Sequence, residues 1–117
     1  MDLTQAIQKH AEWKLKLRSA IAKKEKMDVA TIARDDCCEL GKWLHGNEKA
    51  KLGAMAAFPT CLRKHAAFHV EAGKVAQAIN DGQYTAAEAM LGAGTPYTAA
   101  SSAVGVAIMA LKKESGL

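Results

Sequence analysis

The sequence predicts an all-α fold, a four-helix bundle whose short second helix carries a cysteine, and three observations lead there. Half of the 117 residues are hydrophobic. Many of these are alanine, while valine, isoleucine and aromatic side chains are too thinly spread for strands. Apolar residues recur at three-to-four spacing through three long stretches, which is the period of a helix face. Only two prolines interrupt the chain, and both stand where a helix can begin. Short connections without a hairpin signal complete the pattern of a bundle.

The first helix is expected from Leu3 to about Ala22, with Leu3, Ile7, Leu17 and Ile21 on its apolar stripe. His10 falls on that stripe and Trp13 lies beside it. The segment "EKMDVATIARDD" connects, with a short apolar piece at Val29 and Ile32. Asp35 or Asp36 is placed to cap a short helix carrying Cys37 to His45, and Gly46-Asn47 stops it. Residues 48–58 read as a loop. Pro59 suits the first turn of a long helix that runs to about Asn80 and ends before Gly82. Its stripe reads Leu62, His65, His69, Ala72, Ala76, Ile79. "YTAAEAML" forms a short helical piece before the "GAGTP" break. From Pro96 to Lys113 a last helix sets Tyr97, Val104, Ile108 and Leu111 on one face.

Length fits a single domain spanning residues 1–117. The net charge of +4 is spread along the chain. Its densest cluster, "KKEK" at 23–26, is broken by a glutamate and lacks stacking aromatics, so it reads as a solvated helix end and not as a nucleic-acid surface. No apolar run approaches the roughly 20 residues of a membrane span. The N-terminus lacks the basic-then-apolar order of a signal peptide, and a cytoplasmic location is expected. Three cysteines, two of them adjacent, make a poor disulfide framework and suit a reducing compartment.

Within "KHAAFHVEAG", His65 and His69 stand four apart on the inward face of a helix. A neutral imidazole in a core needs partners for both nitrogens. Residues four apart lie one above the other on a helix face, so these two can chelate a single ion. Alone, H-x-x-x-H is a weak signal. His10 on the inward stripe of the first helix and the cysteines opening the second bring three His and one Cys toward one point, a zinc-type donor set. No glutamate follows His65, so the protease pattern H-E-x-x-H is missing. No carboxylate shares the histidine stripe, which argues against a di-iron site. His45, beside Gly46, suits capping of a helix C-terminus better than ligation. Cys37 and Cys61 read as small hydrophobes or surface thiols, Trp13 and Trp43 as lids and core. Gly41 and Gly73 are expected to let helices approach closely.

"HAEW" at 10–13, "CELGKWL" at 38–44 and "HAAFHVEAG" at 65–73 together resemble the chemoreceptor zinc-binding domain family. That family is marked by an early His, a C-x-x-G-x-W-like segment and H-x-x-x-H. The resemblance runs in order from about residue 7 to 111. It implies that His10, Cys38, His65 and His69 bind one zinc inside a helical bundle. It implies also a non-enzymatic module, often dimeric, that regulates chemoreceptors or cyclic-di-GMP synthases by sensing zinc or oxidants. The sequence departs from the family at His45, where an aromatic commonly follows "WL", and in the extra Cys37. With three neutral imidazoles and one thiolate, Cys38 is the sole anionic donor and the only one able to climb the thiol oxidation ladder, which makes it the expected redox switch. A structural zinc-stabilised dimerisation domain is the alternative. A zinc hydrolase ranks below it, because no general base stands near the donors.

Overall fold

The computed structural model describes residues 1–46 and 52–116. Among them the fold is all-α, with helices α1 (Leu3–Lys23), α2 (Val29–Ile32), α3 (Glu39–Leu44), α4 (Ala57–Asn80), α5 (Tyr84–Met90) and α6 (Pro96–Ser115). The three long helices pack against one another, and the short α2 and α5 pack on α4. The expected apolar piece at Val29 and Ile32 is itself a helix of one turn, so the helix that follows Cys38 is third in order. Asn47 and residues 48–51 of the expected loop lie outside the described residues. Ala57 and Phe58 of that loop already belong to α4.

Local chemistry sets the ends of the helices. The Asp2 carboxylate accepts from the Gln5 backbone N–H at 3.0 Å and starts α1, satisfying one of the orphan donors of a helix N-terminus. Thr95 does the same for α6, where Pro96 occupies the first turn and Gly116, with φ of 77°, ends the helix in the left-handed conformation. A start without any side-chain cap of its own is found in α4. Instead the Glu114 carboxylate, near the end of α6, accepts from the N–H groups of Ala56 and Ala57 at 3.0 and 3.2 Å. An anion at that end also complements the helix dipole.

These caps fix direction. The end of α6 meets the start of α4 through Glu114 and the start of α1 through the Lys112–Thr4 hydrogen bond. Helix α6 therefore runs antiparallel to both, and α1 and α4 run parallel, which brings His10 level with His65. Leu17, Phe68, Ala72, Val75, Ala76, Val104, Ile108 and Leu111 are fully buried between the three. Ile7, Ile21 and Leu62, expected in the core, are only partly buried and pack at its margin. Ala6, Ala20, Phe58 and Cys61 take the inward positions.

The connection after α1 is tied to the end of α4. Asn80 accepts from the Met27 N–H and donates to the Met27 carbonyl, both at 2.8 Å, while Lys26 donates to the Asn80 carbonyl at 2.7 Å. Farther along, a Cβ at Gly73 would lie 2.8 Å from the Ala33 Cβ. Glycine thus lets the end of α2 sit directly on α4, one turn from His69.

Candidate metal centre

Four side chains from three parts of the chain meet in the bundle: His10 from α1, Cys38 from the start of α3, and His65 and His69 from α4. One donor atom from each lies within 4.8 Å of all the others. The Nε2 atoms of His65 and His69 are 3.1 Å apart, and the Cys38 Sγ lies 3.2 and 3.6 Å from them. His10 packs edge-on against both rings, with centroids 5.0 and 5.8 Å away. His65 and His69 are sealed from solvent and His10 nearly so.

Each donor is aimed by its surroundings. His10 Nδ1 donates to the Ala6 carbonyl of the preceding turn at 2.8 Å. That leaves its Nε2 bare, buried and without a hydrogen-bond partner among the described residues. His69 Nδ1 donates to the Ile32 carbonyl at 2.8 Å, so its Nε2 lone pair faces the cluster. Backbone carbonyls fix the tautomer of two rings in this way, the usual outer-shell arrangement of metal-binding histidines. His65 differs. Its Nδ1 is buried without a partner among the described residues, and among them its only polar contacts are those of Nε2 with the Cys38 sulfur and the His69 ring.

Cys38 is the N-cap of α3, and its Sγ accepts from the Gly41 N–H at 3.3 Å. Asp35 and Asp36, expected to cap, are engaged elsewhere. Asp36 is held in a two-point pair by Arg34, with both contacts at 3.0 Å, and Asp35 meets His45 at 3.0 Å. The sulfur therefore sits where a helix N-terminus favours negative charge. Burial pushes the Cys38 thiol up, and the N–H groups of Gly41 and Leu40 work against that shift.

Burial keeps the imidazoles neutral. His65 is pulled down to about 3 by desolvation, with the neighbouring His69 and His10 rings adding to it. Desolvation also lowers His10 and His69, partly opposed by their carbonyl partners. Neutral imidazole is the form that binds metal. In the unfolded chain these rings take up protons as pH falls below about 6.5, whereas folded His65 resists down to about 3. Stability from these three rings is thus full above pH 6.5 and is lost progressively as pH falls through that window. Chelator-treated protein should melt at a lower temperature at pH 4 than at pH 7, and equal melting temperatures would contradict this.

The donor set fits zinc. Bonds of about 2.0–2.1 Å to nitrogen and 2.3 Å to sulfur in a tetrahedron place donor atoms about 3.3–3.6 Å apart, close to the 3.1, 3.2 and 3.6 Å found among Cys38, His65 and His69, with His10 within 4.8 Å. The other residues singled out lie apart from the cluster. The His45 ring turns to Asp35, at the C-terminal end of α3. Cys37 turns its thiol toward the Asp36 carboxylate at 3.6 Å. Cys61 is fully buried, its thiol pushed up to about 11 by desolvation. Trp13 and Trp43 are partly buried and pack on the core.

No helix among the described residues is long and apolar enough to cross a membrane. Comparison with curated proteins and with solved structures gives no match. The family model of the chemoreceptor zinc-binding domain matches residues 10–76, more than half of the chain. The matched span opens on His10 and contains Cys38, His65 and His69, and the cluster they form fits a zinc-binding module. By that match the chain belongs to the chemoreceptor zinc-binding domain family.

Proposed function

We propose that this chain is a zinc-binding sensory module in which His10, Cys38, His65 and His69 hold one zinc ion and Cys38 responds to oxidants. The observation that carries the reading is the convergence of three imidazoles, two of them aimed by backbone carbonyls, on one sulfur at a helix cap. Bound zinc would supply a cross-link between α1, α3 and α4 and would favour the Cys38 thiolate. The polypeptide supplies the rest: it keeps the rings neutral, fixes two of them through backbone carbonyls and holds the sulfur at the start of α3.

Oxidation of Cys38 undoes the arrangement. Toward hypochlorous acid, the Sγ lone pair takes the chlorine and hydroxide leaves. Water then hydrolyses the sulfenyl chloride to a sulfenic acid, with release of chloride and a proton. A sulfenic acid is a far poorer zinc donor than a thiolate. The segment 35–46 then loses its tie to α4, and a partner protein or a second copy reads the change. A structural rivet would stay saturated at every cellular zinc level, whereas a sensor exchanges within that range. About one zinc per chain is expected. Elemental analysis of the reconstituted protein and a measured zinc Kd test this, and no bound zinc, or two ions per chain, would sink the reading.

The output surface we assign to α6. Val106 and Met109 are 71% and 56% exposed there. They form one shallow face with Gly105, Ala110 and Ile7 of α1, an apolar strip suited to a second copy of the chain. Light scattering should give a dimer mass, and Val106→Glu should shift it to the monomer with zinc content unchanged. A monomer mass for the unaltered chain at high concentration would remove this surface from the proposal.

A further inference from the structure

We infer that the cavity between the first half of α1 and the start of α3 is the port through which small uncharged electrophiles reach Cys38. This rests on the reading of Cys38 as the responsive thiol. The cavity holds about 160 Å³ and is lined by both His10 and Cys38, whereas His65 and His69 are not part of its lining. A water needs only about 10–15 Å³ by this kind of measure, so a solute of a few heavy atoms has room.

The charged side chains around the cavity, Asp2, Lys9, Lys16 and Glu39, sum to zero. Lys9 pairs with Glu39 across it at 3.4 Å. The Asp2 carboxylate is occupied by the Gln5 N–H, and the Lys16 ammonium lies over the Trp13 ring at 4.9 Å. Ala6 and Leu40 supply apolar wall. With no net side-chain charge on the lining, an ion gains little on entry and gives up hydration. Neutral oxidants suffer no such penalty. Cys61 is sealed in the core, and Cys37 is not part of the lining. The port thus distinguishes two thiols that are adjacent in sequence.

Cys37 provides an internal ruler for the test. Gln5 is exposed on the rim, so Gln5→Trp narrows the mouth and Gln5→Ala widens it without touching the donors. The chain is treated with chelator, its helix content checked by circular dichroism, and alkylation by iodoacetamide followed for each cysteine by peptide mapping. In Gln5→Trp the Cys38 rate should fall about fivefold or more, roughly 1 kcal/mol of hindrance, while the Cys37 rate stays unchanged. In Gln5→Ala the Cys38 rate should equal or exceed that of the unaltered chain. Iodoacetate, the anionic counterpart, should give a lower Cys38-to-Cys37 ratio than iodoacetamide. An unchanged Cys38 rate in Gln5→Trp overturns the port, and an equal or higher ratio for iodoacetate overturns its preference for neutral solutes. Zinc release on adding hypochlorous acid to the loaded protein is read separately with a chromogenic chelator. If no zinc is released while Gln5→Trp still shields Cys38, oxidant sensing fails and the port stands.

Discussion

Replacing Cys38 with alanine is expected to lower zinc affinity by more than the about 10–100-fold that loss of an outer-shell partner costs. Two roles end together in that variant. The cluster loses its single anionic donor, leaving three neutral imidazoles around a divalent ion. Helix α3 also loses its cap, because the Gly41 N–H no longer has the sulfur to donate to, at a cost of about 1 kcal/mol. Cys38→Ser separates the two roles. A serine hydroxyl caps a helix well but is a poor zinc donor, so α3 should keep its stability while affinity falls nearly as far as in the alanine variant. His65→Ala should follow in severity, and His45→Ala should change little because that ring is turned to Asp35. Binding by the unaltered chain at pH 7 should release about one proton, from Cys38, since the buried imidazoles are already neutral. Chelator competition and calorimetry in two buffers measure these quantities. A larger loss in His45→Ala than in His65→Ala would mean that the wrong histidine has been chosen.

The stripe through His65 and His69 was legible because helical spacing alone puts both rings on one face, and both are buried. His10 followed by the same logic on α1. What spacing does not carry is the aim of a ring. The bond from His10 to the Ala6 carbonyl turns on a side-chain rotamer within α1, and the bond from His69 to the Ile32 carbonyl depends on how α2 lies against α4, a contact for which sequence gives no register. The cap of α3 was misassigned to Asp35 or Asp36 for a related reason. Aspartate is the commoner cap, but here Arg34 and His45 take up those carboxylates, and the cap position passes to Cys38. On α4 the stripe of six residues proved too narrow. The helix is covered on more than one side, so Phe58, Cys61, Phe68 and Val75 are buried with it while Leu62 lies at the margin. The expectation that glycine lets helices approach closely held at Gly73, against Ala33 at the end of α2, whereas Gly41 accommodates the backbone of the 35–36 turn and not another helix. Their partners, Asp35 and Ala33, could only be seen in three dimensions.

Gly41→Ala is expected to be the most damaging change that leaves all four donors in place. A Cβ at position 41 would fall 1.7 Å from the Asp35 carbonyl oxygen and 2.7 Å from its carbon. That neighbour is backbone and cannot swing aside like the tip of a side chain. Its residue is also fastened, because the Asp35 carboxylate holds His45 at the far end of α3. Either α3 moves away from the 35–36 turn or the turn opens, and in both cases Cys38, which links the two as the cap of α3, is carried off the cluster. Overpacking of this kind costs about 1–3 kcal/mol or more, against about 1 kcal/mol gained from replacing glycine within a helix. Gly73→Ala should follow the same course more mildly, since the clash there is 2.8 Å with the Ala33 Cβ. Gly105→Ala is the control. Nothing lies within 4 Å of a Cβ at that position in α6, so at dilutions where the α6 face is free it should stabilise the protein by about 0.5–1 kcal/mol. Melting temperatures should therefore descend from Gly105→Ala through the unaltered chain and Gly73→Ala to Gly41→Ala. Zinc affinity should fall only in the last two. If Gly41→Ala keeps full affinity, the sulfur does not depend on this close approach, and the tight 35–41 loop is not what positions Cys38.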